Sequence, residues 1–168
     1  MNRILKRISI ATQTIPQRQD WILAFALLLL YTVIYIPIGL KLGFLKFKVF
    51  PSWLMNLGVM ASSFVMPGLL EELGFRVILI PHRTEPCTGF ERLKWVGLSW
   101  ILFMLYHVHP FTPPFFKTFP FLLGAGLIGI ICSIAYLRSG SLWIPVFIHW
   151  LIVAIWLLLL GGLDRFQK

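Results

Sequence analysis

Residues 69–81 read LLEELGFRVILIP. They place Glu71, Glu72 and Arg76 inside a run that is otherwise apolar on both sides. Two histidines stand in comparable surroundings. His107 ends the run ILFMLYH, and His149 lies about eight residues into the apolar run that contains PVFIHWLIV. A buried carboxylate facing neutral imidazoles can do two kinds of chemistry. It can act as a general base toward water, with histidine positioning that water or stabilising an oxyanion. Alternatively, Glu, His and His could hold a zinc ion with water in the fourth place.

Spacing divides the labour among the charged residues. Glu72 and Arg76 are four apart, one turn along the same helix face, and can pair. Glu71 is turned by about 100° from Glu72 and is free to face another neighbour. The plainer reading of Glu72 with Arg76 is an ion pair that joins helices. The plainer reading of a histidine near a helix end is a structural hydrogen bonder. His82 and His109 adjoin prolines and read as interfacial bystanders. Hydrolysis by a serine or cysteine nucleophile fits less well: Ser62, Ser63, Ser99 and Ser133 sit in no nucleophile-elbow pattern, and Cys132 has no evident activating partner.

The elements that carry these residues must be membrane helices. The chain of 168 residues is 58% hydrophobic and 12% charged, against about 25% charged for a soluble domain, and its mean hydropathy is +0.85. Apolar runs close to the ~20 residues that cross a bilayer recur. The expected fold is an all-α, polytopic membrane bundle of about five transmembrane helices: Trp21–Leu40, Ser52–Ile80 with a kink at Pro67-Gly68, Trp95–Val108, Phe119–Leu137 and Leu142–Leu160. Residues 1–20 form a basic N-terminal segment and 21–168 a single transmembrane domain. PHRTEPCTGFERLK reads as a surface loop, HPFTPPFFKTFP as an interfacial break, and the small residues of GAGLIG as a close helix contact. At membrane depth an ionisable group costs about 2.5–3.5 kcal/mol on insertion scales, so three within six residues call for a function.

The net charge of +9 belongs to basic residues flanking the apolar runs, where they meet lipid headgroups and set topology. No basic-aromatic pattern for nucleic acid is present. Five crossings put Arg3, Lys6, Arg7, Arg18, Arg83, Arg92, Lys94 and Arg138 on one side. Lys41, Lys46, Lys48, Lys117, Arg165 and Lys168 fall on the other, a slight lean to an inside N-terminus. Cys87 and Cys132 predict no disulfide.

Three motifs in order carry a resemblance. EELGFR fits E-E-x-x-x-R, FMLYH (Phe103 to His107) fits F-x-x-x-H, and SGSLWIPVFIHWLIV resembles a G-S-L-W-like turn followed by a helix with H-x-x-x-N. Together, over about residues 60–155, they resemble the CAAX-protease and bacteriocin-processing family of glutamic-type intramembrane endopeptidases. The resemblance implies that Glu71 activates water, that His107 helps hold it, that Glu72 and Arg76 shape the site and that Phe103 packs beside it, at the substrate. It implies that His149 stabilises the oxyanion and that no metal or other cofactor is needed. It also implies a membrane-associated or lipid-modified peptide or protein as substrate, and a multi-pass place in the lipid bilayer, taken to be the cell membrane. The family's Asn four residues after the last histidine is Val153 here. That departure keeps a second expectation open, a catalytically weak or inactive scaffold or immunity-type protein. Intramembrane carboxylates and histidines also serve proton paths, but the small size and lack of a repeat argue against a transporter.

Overall fold

The computed structural model describes residues 3–166; Lys168, counted above on the second side, lies outside the described residues. Among the described residues six helices make up the fold: α1 (Arg3–Gln13), α2 (Arg18–Lys41), α3 (Trp53–Ile78), α4 (Gly89–Val108), α5 (Phe119–Ser139) and α6 (Trp143–Leu159). Among the described residues there is no strand, only one bridge between Lys48 and Leu160. By length and composition α2, α3 and α5 can each cross a membrane, and α6 is an apolar helix of 17 residues.

α4 begins earlier than the apolar pattern indicates. Thr88 accepts a hydrogen bond from the Glu91 backbone, and the Glu91 carboxylate accepts one from the Thr88 backbone. This reciprocal cap turns the segment GFERLK into the first turns of the helix rather than a loop. Residues 110–118 hold a short 3-10 turn at Pro114–Lys117 before α5 starts.

Pro67 breaks the geometry of α3 as expected. Met66 takes φ −134° and ψ 115°, the Met66–Pro67 bond is cis, and π-helical turns at Phe64–Leu69 and Leu73–Ile78 flank the turn that carries the glutamates. Neighbouring helices bind the carbonyls around this irregular stretch. The Trp150 indole donates to the Met60 carbonyl at 2.9 Å, and Ser99 donates to that of Phe75. A Cβ added at Gly68 would meet the Trp150 Cβ at 3.2 Å, so glycine lets α6 lie against the kink. One at Gly129 would meet the Trp100 ring at 2.8 Å, the close α4–α5 contact that GAGLIG foreshadowed.

The larger core joins α2, α5 and α6 through Leu27, Ile128, Ile131 and Ile148. A smaller one ties α1 into the bundle: Ala11 is fully buried with Val77, Ile80, Tyr136 and Val146. The N-terminal segment is thus packed, not appended. Arg7, only 7% exposed, forks onto Glu85 and also donates to the Ile78 carbonyl at the end of α3. His82 is buried here too. Its ring donates to the Gly140 carbonyl at 3.0 Å, because the turn after α3 folds under the α5–α6 connection. The reading of His82 as a bystander missed this contact, which joins residues far apart in sequence.

Charges gather at two ends of the bundle. Arg3, Arg7, Glu85 and Arg83 meet the Arg138 end of α5. At the other end Lys46 and Lys48 pair with Asp164, and Arg165 binds the Gly43 and Phe44 carbonyls.

Burial alone would raise the Glu85 carboxyl, but hydrogen bonds from Arg7, the His82 backbone and Arg3 outweigh it and hold it at about 2. A depressed folded value means that its stabilisation is complete above the ordinary carboxylate value of 4.5 and is lost as pH falls toward about 2. Melting of the detergent-solubilised protein should therefore fall across that window, and Glu85→Gln should flatten the dependence. An unchanged slope in the variant would show that the clasp contributes nothing.

Candidate active site

Glu72 is fully buried, and two side chains pair with it. The Arg76 Nε lies 3.2 Å from its Oε2, the i,i+4 pair expected from spacing. His149 Nδ1 lies 2.7 Å from its Oε1. A carboxylate can only accept, so His149 carries its proton on Nδ1 toward Glu72. Arg76 continues the network. Its Nη2 donates to the Gly129 carbonyl of α5 at 3.3 Å, and its guanidinium sits 4.5 Å above the Phe103 ring of α4.

Glu71, one residue back and turned away from Arg76, faces the other side of His149, whose Nε2 is 3.9 Å from Glu71 Oε2. Each carboxylate thus addresses one nitrogen of the same imidazole. Glu71 also lines a cavity of about 300 Å³ together with His107, His149 and Phe103. His107 is held differently. Its Nδ1 lies 2.8 Å from the Phe103 carbonyl one turn back, and a carbonyl can only accept, so Nδ1 carries the proton and Nε2 keeps a free lone pair.

Phe103 has no exposed surface. Its ring packs against Phe75 at 5.3 Å, His107 at 4.5 Å and His149 at 6.0 Å. It packs against both imidazoles and lines the cavity with them. His109 stays outside the cluster, with its ring 5.9 Å from Tyr106. The four membrane-embedded serines all donate to main-chain carbonyls, and Cys132 is buried with its thiol toward the Pro145 carbonyl. None is presented as a nucleophile. Among the described residues no group of three or more His, Cys, Asp or Glu side chains is placed to hold a metal ion.

The rest of the cavity wall, Val153 apart, was not foreseen. Tyr31 and Tyr35 come from α2, and Thr112, Phe116 and Phe121 from the proline-rich break and the start of α5. Phe116 and Phe121 stack at 4.1 Å, and the His107 ring lies 5.6 Å from Phe121. Val153 lines the wall one turn beyond His149, with Ile152 and Trp156 beside it. The aromatic content of HPFTPPFFKTFP was the signal available for the upper wall. Nothing local in α2 marks its tyrosines.

Glu71 Oε2, Glu72 Oε2 and Arg76 Nε and Nη1 are buried without a hydrogen-bond partner, so the Glu72–Arg76 contact acts through charge rather than hydrogen-bond geometry. Removing one partner of a buried pair strands the other charge. Arg76→Ala should destabilise the protein by about 3–5 kcal/mol, read as a lowered melting temperature in detergent. Glu72→Gln in the same chain should recover part of the loss. Wild-type stability in Arg76→Ala would mean that the guanidinium does not compensate Glu72.

No curated protein and no solved structure matches the chain. Residues 51–155, the stretch that carries α3 to α5 and most of α6, match the family described as type II CAAX prenyl endopeptidase Rce1-like. That stretch is more than half of the chain and holds the whole Glu71, Glu72, Arg76, His107 and His149 cluster. The chain therefore belongs to the Rce1-like family of type II CAAX prenyl endopeptidases, membrane-embedded proteins of CAAX-type protease function.

Proposed function

We propose that the protein is an intramembrane endopeptidase that hydrolyses peptide bonds of membrane-associated or lipid-modified peptides with a water activated by Glu71. The observation that carries this reading is the convergence of Glu71, His107 and His149 on one cavity. Glu71 takes a proton from water as the water oxygen bonds to the scissile carbonyl carbon, and the carbonyl electron pair moves onto oxygen. His107 accepts a hydrogen bond from that water at Nε2 and aims it. His149, anchored at Nδ1 by Glu72, stands beside Glu71 and serves the oxyanion when its Nε2 is protonated. Collapse breaks the C–N bond, and Glu71 returns its proton to the leaving nitrogen. The unpaired buried oxygen of Glu71 is a place for the reacting water to hydrogen-bond, as buried polar groups require.

The aromatic wall suits an apolar side chain or chain segment of the substrate, and the many exposed apolar residues of α2 and α3 suit a site in a cell membrane. The chemistry draws on no cofactor, so cleavage is to persist in the presence of a chelator. A second reading, a non-catalytic scaffold, is favoured by one observation. Val153 offers the cavity no donor one turn beyond His149.

A peptide-cleavage assay in liposomes separates the two. Glu71→Gln and His107→Ala should each lower cleavage by at least ~10²-fold while insertion and melting stay normal. Full activity in both variants would remove the peptidase reading.

A further inference from the structure

We infer that the Tyr106 hydroxyl donates a hydrogen bond to the reacting water, as a third group on it beside Glu71 and His107. The inference rests on the reading of Glu71 as the base. It follows from counting the bonds that a water molecule in that position has to direct.

A water molecule has two protons and two lone pairs, and a buried one typically makes about three hydrogen bonds. Its protons go to the Glu71 carboxylate and to the His107 Nε2, both of which accept. One lone pair is aimed at the carbonyl carbon, and the other needs a donor. Most donors on the cavity wall are already committed. The Tyr35 hydroxyl donates to the Pro120 carbonyl at 3.0 Å and that of Thr112 to the His109 carbonyl at 2.8 Å. His107 spends its Nδ1 proton on Phe103, and His149 spends its own on Glu72. The Trp156 Nε1 is shut in without exposed surface. Of the hydroxyls on the cavity wall, those of Tyr31 and Tyr106 have no acceptor among the described residues.

Their surroundings separate the two. The electrostatic neighbours of the Tyr31 hydroxyl are Tyr35 and Cys132, and that of the Tyr106 hydroxyl is Glu71. Packing agrees. Ser99 and Tyr106 lie two turns apart on one face of α4, and both meet Phe75 of α3. Ser99 donates to the Phe75 carbonyl, and the Tyr106 ring lies 5.7 Å from the Phe75 ring. Phe75 stands about one turn beyond Glu71, so α4 lays Tyr106 along the stretch of α3 that carries the base. On its own helix Tyr106 adjoins His107, with ring centroids 5.5 Å apart, and all three side chains line the same cavity. Polar groups that are neighbours without a direct hydrogen bond are commonly bridged by water, and here the bridging water is the reacting one. As its oxygen bonds to the carbonyl carbon and one proton passes to Glu71, that oxygen keeps the hydrogen bond from Tyr106. The tyrosine keeps its own proton throughout. A tyrosine toward the end of a membrane helix also serves as an interfacial anchor, and Tyr106 is 38% exposed. The two roles differ in what they use: an anchor needs the ring, and the water needs the hydroxyl.

The experiment compares kcat and KM for peptide cleavage in liposomes, with melting in detergent, for the wild type, Glu71→Gln, Tyr106→Phe and Tyr106→Leu. Val153→Asn is measured alone and with Tyr106→Phe. A hydrogen bond to a group that gains charge is worth about 10–10²-fold in rate. Tyr106→Phe should lower kcat by that factor with KM and melting temperature unchanged, and Val153→Asn should change kcat by the same factor with or without it. A Tyr106→Phe kcat within about threefold of wild type, while Glu71→Gln is silent, overturns the assignment and leaves the peptidase reading standing. Loss in Tyr106→Leu alone then marks the ring as an anchor. A Tyr106→Phe loss that comes with raised KM also overturns it, because that pattern belongs to substrate binding, and one with lowered melting belongs to packing. Recovery by Val153→Asn in the Tyr106→Phe chain, beyond its effect in the wild type, would put the missing bond at the oxyanion and overturn it as well. If the wild type does not cleave, the peptidase reading and this inference fall together.

Discussion

A carboxylate with no exposure to solvent has to be compensated where it stands, and Glu72 sets the arrangement of four helices by being so compensated. Its own helix supplies Arg76 one turn on, and α6 supplies His149. Arg76 in turn reaches the Gly129 carbonyl of α5 and covers the Phe103 ring of α4. Any slide or rotation of α3 against its neighbours would strand charge in an apolar medium, at a cost of several kcal/mol. The network therefore fixes the rotation of α3, and with it the direction of Glu71. Because adjacent residues on a helix differ by about 100°, locking Glu72 inward toward Arg76 and His149 leaves its neighbour to face the cavity. One glutamate is committed to structure, and the next is left on the cavity wall.

The backbone of α3 contributes to the same end. Regular helix would satisfy its carbonyls internally, and around the irregular turns on either side of Leu70–Glu72 the side chains of Ser99 and Trp150 add donors from other helices. Irregular backbone survives at membrane depth only where protein surrounds it, and Gly68 and Gly129 let α6 and α4 come close enough to do so. The cavity that results has two unlike ends. Acids and imidazoles make up one, stacked phenylalanines from the proline-rich break make up the other, and the two meet at His107. A substrate entering it would place an apolar part against the rings and a peptide bond near the charges, which is the division of binding and chemistry that catalysis by differential binding requires.

Much of this could be read from the residues alone. Five apolar runs of near-crossing length gave the bundle, and the i,i+4 rule gave the Glu72–Arg76 pair. The 100° offset gave Glu71 its independence. What periodicity cannot supply is the identity of the partner across an interface. His149 was visible as an anomaly in an apolar helix, yet its bond to Glu72 spans 77 residues of sequence, and no local pattern encodes it. The same holds for Tyr31 in the cavity wall and for His82 beneath Gly140. The start of α4 is a different case. Thr88 and Glu91 carry a capping pattern plain in the sequence, and an emphasis on hydrophobicity passed over it. The N-terminal helix was hidden for a third reason. Its basic residues suggested a lipid-facing segment, whereas Arg7 is buried on Glu85 and the Ile78 carbonyl.

The two histidines show how one residue type takes two roles through what each ring's Nδ1 meets. His107 donates to a neutral carbonyl of its own helix, which fixes a neutral tautomer with its lone pair directed away from the backbone. Such a ring is an acceptor, suited to hold water. His149 donates to a carboxylate and has a second carboxylate 3.9 Å from its other nitrogen. Its Nδ1 is thus a donor, and its Nε2 is the nitrogen left to the cavity side. Both rings pack against Phe103. Under the function proposed above, that difference at Nδ1 is what lets one imidazole hold water while the other faces the oxyanion. The separation of roles therefore depends on Glu72 as much as on the histidines themselves.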